Sequence, residues 1–323
     1  WNMFASGFRN SFDLAFNNAG EMFTYDSDME WDFGTPWYRP TRILHVTSGG
    51  EYGWRPGTNK WNANYPDNLP AAVNVGQGSP TNFVSGANAK FPEKYRNALF
   101  AFDWSFGIIY AIYPKSNGAS YTATGEEFIS GSPLPLTDGV VGPDGAMYFL
   151  TGGRRLESDM YRVYYAGSET KNTATAKVEL NEAQKTRKKL EGYHGKPTAG
   201  AVNEAWPFLK DKDRFIRYAA RIAIEAQPLS EWTDKTINEK DPVILTNAAI
   251  GLARRGDAKA KKPLLTALTS VNISLLTASQ QLDLMRAIEL VFTRMGAPDA
   301  AEKEAVAKLL NPIFPAATND LNK

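Results

Sequence analysis

The composition of this 323-residue chain changes once, near Gly167, and that break limits the folds open to it. Residues 1–167 carry 20 of the 26 glycines, 31 of the 39 aromatic residues and six of the eight tryptophans. Residues 168–323 are rich in Ala, Leu and Lys instead. Glycine and aromatic residues around short apolar runs favour strands and tight turns, whereas Ala, Leu, Lys and Glu favour helix. An all-β region, 1–167, is therefore expected before an all-α region, 196–323, with residues 168–195 as the linker. The first region holds 12 basic and 16 acidic residues and the second 24 and 19, for a whole-chain charge of +1. That balance gives no signature of nucleic-acid binding. No apolar run is long enough for a transmembrane helix. With no cysteine there is no disulfide, thiolate metal site, cysteine nucleophile or covalently attached c-type haem.

The first region repeats a turn followed by an apolar-aromatic strand. Asn17-Asn18-Ala19-Gly20 precedes Met22-Phe23-Thr24-Tyr25, and Tyr95-Arg96-Asn97 precedes Leu99-Phe100-Ala101-Phe102 and then Ile108–Ile112. Gly142-Pro143-Asp144-Gly145 precedes Met147–Leu150 and then Met160–Tyr164. A Pro-Asp-Gly turn supplies the fixed φ and the left-handed position that a tight reversal needs. A period of about 40–50 residues is that of a propeller blade, so about three blades are expected. A β-sandwich with similar turns is the other fold this pattern allows. Half a ring leaves open sheet edges, and the chain starts at Trp1. It is expected to be the C-terminal part of a longer polypeptide, with the remaining blades supplied by that polypeptide or by another chain.

Gly7-Phe8-Arg9-Asn10, the acidic run from Asp26 to Asp32, Gly49-Gly50-Glu51-Tyr52-Gly53-Trp54 and Gly142-Pro143-Asp144-Gly145 occur in that order. In this the chain resembles the later blades of soluble quinoprotein glucose/sorbosone dehydrogenase-like propellers. More narrowly, it is similar to large bacterial proteins in which such a propeller precedes HEAT-like repeats and often a haem module. The resemblance implies a six-bladed ring and a pyrroloquinoline quinone (PQQ) pocket, with Ca²⁺ polarising the quinone. It also implies a sugar or alcohol substrate, a cytochrome c-type electron acceptor and a periplasmic or cell-envelope setting. Arg9 and Asn10 match the pair that faces the cofactor, and a planar guanidinium suits a carboxylate-bearing quinone. Two features depart from the pattern. The family's two arginines before the last Gly-Pro-Asp-Gly turn are Pro135 and Thr137 here, and neither His45 nor His194 matches its catalytic histidine. A non-catalytic scaffold that holds a partner protein or a glycan is the alternative.

In the run Asp26-Ser27-Asp28-Met29-Glu30-Trp31-Asp32 a carboxylate stands at every second position, on one face if the run is a strand. The four acids invite a cation such as Ca²⁺, or pairing with Arg39, Arg42 or Arg55. The run is not an EF-hand, since Trp31 and Trp37 replace the required Gly and Glu. Trp31, Trp37, Tyr38, Trp54, Trp61 and Tyr65 either stack on a sugar or pack the core. His45, in an apolar strand context, is expected to be structural.

In the second region Phe215, Ile216, Ala219, Ile222 and Ala223 share one helical face behind Asp213, a capping residue. Asp241 and Pro242 open a second such helix, which Gly256 ends. Further helices are expected at 199–209, 229–239, 258–269, 279–295 and 299–309. Together they suggest a HEAT-like solenoid whose scattered lysines are solvated surface.

Overall fold

The computed structural model describes residues 3–29, 38–56, 60–168, 178–256 and 258–315. By its contacts the chain forms two units. One is Phe4–Trp61 with Pro70–Gln184, and the other is Trp1–Met3, Asn62–Leu69 and Lys185–Lys323. No helix among the described residues is long and apolar enough to cross a membrane.

The first unit is β-sheet-rich. Its strands are β1 (Ala5–Ser6), β2 (Leu14–Phe16), β3 (Met22–Asp26), β4 (Thr41–Val46), β5 (Gly50–Glu51), β6 (Val73–Gly76) and β7 (Pro80–Ser85). A short helix α1 (Glu93–Arg96) leads to β8 (Leu99–Asp103), β9 (Ile108–Asn117) and β10 (Ser120–Ser130), then β11 (Leu136–Val141), β12 (Met147–Thr151) and β13 (Met160–Val163). They form four sheets: β1-β5, β2-β3-β4-β6, β7-β8-β9-β10 and β11-β12-β13. Apart from the parallel β1-β5 pair, all ladders are antiparallel, and the four-stranded meander is the unit of which propeller blades are made.

The turns that punctuate the sequence do what their residues dictate. Gly20 has φ 77° and Gly145 φ 79°, the left-handed region that glycine enters without strain. Asn17 Oδ1 accepts the N–H groups of Ala19 and Glu21, and Asp144 Oδ1 that of Ala146. In β8, Phe100 and Phe102 pack with Met147 and Phe149 on one side, while Leu99 and Ala101 pack with Phe23 and Ile43 on the other. The two-residue period thus buries both faces of β8, at roughly 1.5–3 kcal/mol for each large side chain.

The division between units falls within α2 (Glu182–Glu191), which lies inside the stretch read as linker. Beyond it come α3 (Ala201–Ala205), α4 (Arg214–Glu225), α5 (Thr233–Ile237), α6 (Pro242–Arg255), α7 (Lys261–Thr269), α8 (Ala278–Met295) and α9 (Ala300–Leu310). The expected helix 199–209 is α3 followed by a 3₁₀ turn that contains Pro207. Asp213 and Asp241 cap α4 and α6, and Thr277 and Asp299 close capping boxes with Gln280 and Glu302. Small buried residues, among them Ala219, Ala223, Ala248, Ala249 and Ala287, let α6 pack closely on α4 and α8. Asn62–Leu69 belongs to this unit although its sequence lies among the strands. Asp67 takes Arg286 with both oxygens at 2.9 Å, Arg286 lies 4.1 Å from the Tyr65 ring, and Arg214 binds the carbonyls of Ala63, Tyr65 and Asn68.

Candidate functional site

Three of the sequence motifs meet in the β unit. The register sets Asp26, the last residue of β3, opposite Arg42 of β4. Cross-strand neighbours are within side-chain reach, and the Nε and NH2 of Arg42 both donate to Asp26 Oδ2, at 3.0 and 2.9 Å. Asp26 Oδ1 accepts the backbone N–H groups of Arg9 and Asn10, at 2.8 and 3.2 Å, and the Ser11 hydroxyl at 3.2 Å. Asp26 is fully buried. Its charge fixes the backbone at positions 9 and 10 and is itself fixed by Arg42.

The third motif forms the floor of this corner. Residues 5–6 pair in parallel with residues 50–51, the Trp54 N–H donates to the Gly7 carbonyl, and Phe8 stacks on Tyr52 at 5.0 Å. Gly7 has φ 83°, and a Cβ there would meet the backbone nitrogens of Gly53 and Tyr52 at 2.6 and 2.7 Å, so only glycine fits. Burial alone would raise the pKa of Glu51. Its bonds to Arg55, the Gly53 N–H and Ser6 hold it below the usual carboxylate value instead.

The corner presents little titratable chemistry to solvent. The Arg9 guanidinium binds Ser27 Oγ at 3.2 Å and the Asp28 carbonyl, lies 3.7 Å from Asp28 Oδ1, and its side chain is 28% exposed. Asn10 is exposed. Lys60 is buried, donates to the carbonyls of Ser27 and Pro40, and lies 4.0 Å from Asp26 Oδ2. Burial, and then the charge of Arg42, push its pKa down to about 7.

Of the four expected metal ligands, Asp26 is engaged by protein donors on both oxygens. Asp28 accepts from the Gly78 N–H at 3.4 Å. Met29 and Arg39 exchange two backbone hydrogen bonds, and Glu30 and Asp32 fall between them, outside the described residues. Trp31 and Trp37 also lie outside. Among the described residues no three His, Asp or Glu side chains are grouped to hold a metal. Of the aromatic candidates, Trp54 is half-buried, Trp61 carries Arg55 4.3 Å from its ring, and Tyr65 belongs to the helical unit.

His45 is buried in the β unit, 2.6 Å from Glu21 Oε2 through Nε2 and 2.8 Å from Ser120 Oγ through Nδ1, with the Tyr121 ring edge-on at 5.0 Å. That enclosure makes it a core histidine. His194 Nε2 lies 2.9 Å from the Ala219 carbonyl. At the position of the expected arginines, the Pro135 carbonyl accepts from the Gly152 N–H and Thr137 Oγ1 donates to the Leu150 carbonyl. Both serve the local strand pairing. Sequence reading missed Lys60, Glu21 and Ser120. None stands in a charge pattern or motif, and each acquires its role only through strand register or a long loop.

No family model matches the chain, and no curated protein does. Among solved structures it is similar to an oxidoreductase described as a glucose dehydrogenase from Thermus thermophilus, at 21% identity over 50% of this chain and 46% of that one, with a TM-score of 0.39. It is also similar to another glucose dehydrogenase, at 16% identity over 50% and 47% with a TM-score of 0.40. The PQQ-bound aldose sugar dehydrogenase of Streptomyces coelicolor is 13% identical over 50% and 45%, with a TM-score of 0.35. The chain spans less than half the length of each. Likeness at this level assigns neither family nor activity.

Proposed function

We propose that the chain is part of a PQQ-dependent sugar or alcohol dehydrogenase-like protein, with Arg9 and Asn10 on its cofactor-facing edge. The β unit would contribute blades to a six-bladed propeller and the helical unit a HEAT-like solenoid. Electrons would pass to a periplasmic c-type cytochrome. One observation carries this reading: the segments 7–10, 26–28 and 49–54, far apart in sequence, converge on a corner where Asp26 pins the backbone of both candidate residues.

The donors at this corner fit a quinone bearing carboxylates. The exposed carboxamide of Asn10 offers N–H groups on a fixed backbone, beside the partly exposed guanidinium charge of Arg9, and preorganised groups bind without a large ordering cost. The quinone, when bound, supplies the hydride acceptor. Ca²⁺ does not fit at Asp26, whose oxygens already hold Arg42 and two backbone N–H groups.

The segment around Pro135 and Thr137 favours a second reading, a scaffold without quinone that holds a partner protein or a glycan. One titration separates the two. PQQ added to the protein, followed by tryptophan quenching, is expected to saturate and to weaken about tenfold in Asn10→Ala, the loss of one hydrogen bond to a charged group. Absence of saturation, or equal affinity in Asn10→Ala and Arg9→Lys, would overturn the quinone reading and leave the scaffold.

A further inference from the structure

The helical unit holds a polar cleft that none of the sequence motifs touches. It measures about 190 Å³ and is lined by Arg214, Arg217 and Tyr218 of α4, Asn247 of α6, and Ser279 and Asp283 of α8. That is below the roughly 300 Å³ at which drug-sized sites begin.

Asp283 is 9% exposed, yet among the described residues it makes no hydrogen bond and no ion pair within 4.0 Å. Other buried carboxylates of this unit are matched. Asp67 has Arg286, and Glu225 has Arg221 at 2.6 Å and Arg254 at 3.3 Å. Burial pushes the Asp283 carboxyl up to about 6, and the charges of Arg217 and Arg214 pull it back only in part. Its oxygens keep some contact with solvent, yet a charge this far buried without a hydrogen-bond partner still costs the fold stability.

The complementary group lines the same cleft. Arg217 uses NH1 on the carbonyls of Asp211 and Lys212, and its NH2 has no hydrogen bond among the described residues. A carboxylate and a guanidinium thus share one small cleft without touching. A simple cation entering it would meet two arginines, a simple anion would meet Asp283, and a neutral ligand would leave both charges unmatched. A molecule with an ammonium at one end and a carboxylate at the other satisfies both. Leu282 and Pro66 supply an apolar wall for a short side chain.

We infer that this cleft binds a small zwitterion, a free α-amino acid with a short side chain, its ammonium on Asp283 and its carboxylate on Arg217. The test is calorimetric titration of the full chain with L-alanine, with methylammonium, acetate and D-glucose as separate titrants. L-Alanine is expected to saturate with a Kd on the order of 1 mM, at least tenfold tighter than either single-ended ion. It should weaken at least tenfold in both Asp283→Asn and Arg217→Gln. Asp283→Asn keeps the side-chain shape and removes an unpaired charge, so lost binding in a variant that melts no lower than wild type is not unfolding. No saturation with L-alanine, unchanged affinity in Asp283→Asn, or saturation by D-glucose instead would each overturn the inference.

Discussion

Asp26 in the β unit and Asp283 in the helical unit are both buried carboxylates, and their surroundings are opposite. Asp26 receives two guanidinium nitrogens, two backbone N–H groups and a hydroxyl. Asp283 receives no hydrogen bond among the described residues. Burial by itself therefore says little about a carboxylate's role; the donors that accompany it do. A fully bonded buried charge holds local structure together, whereas an unbonded one weakens the fold and points to a ligand. This is why the corner around Asp26 is read as the rigid support for Arg9 and Asn10, and the cleft at Asp283 as a site in its own right.

The sharpest way to break this contrast is to remove the partner of the bonded acid. Arg42→Ala leaves buried Asp26 with only Lys60, 4.0 Å away, as a cation and should cost about 3–5 kcal/mol, seen as faster hydrogen exchange of the Phe23 and Ile43 amides. A loss under 1 kcal/mol would mean that Lys60, the Ser11 hydroxyl and the backbone N–H groups of residues 9 and 10 hold Asp26 well enough. Lys60 gives the next largest effect. Its folded pKa, about 7, lies below the ordinary lysine value of 10.5. Above pH 7 the unfolded chain therefore binds more protons than the folded one. The β unit should gain stability, on the order of 3 kcal/mol, as pH rises from 7 towards 10. Lys60→Met should flatten that rise. The smallest effects belong to the helix caps. Asp213→Ala and Asp241→Ala should each cost about 1 kcal/mol, because each leaves two N–H groups of a first turn without their acceptor.

What the sequence reveals follows from how local each signal is. The caps Asp213 and Asp241 and the turns at Gly20 and Gly145 are legible because cap and turn chemistry acts within four residues. β10 is not, since its alternation is confined to Tyr121 and Ala123, the run Gly125-Glu126-Glu127 breaks it, and pairing with β9 carries the strand from there. Asn62–Leu69 reads as part of an aromatic insertion among the strands. Its membership of the helical unit rests on Asp67 and Arg286, 219 positions apart. At the candidate site, Arg9, Asn10 and Asp26 stand in recognisable motifs. What joins them is two backbone N–H groups on one carboxylate, and side-chain identity alone does not record that. Asp283 lies on a helix that the sequence does predict, but it looks there like any surface acid.

The most direct test makes the same isosteric change at both acids and compares urea unfolding at pH 7.5. Asp26→Asn should destabilise the protein by several kcal/mol, about what a broken buried pair costs. Asp283→Asn should stabilise it. The folded pKa of Asp283 is about 6, above the ordinary 3.8, so the folded state is penalised wherever that carboxyl is ionised. The gain should reach about 3 kcal/mol above pH 6 and vanish below pH 4. If Asp283→Asn destabilises the protein as Asp26→Asn does, Asp283 is a bonded structural acid and the contrast between the two units fails.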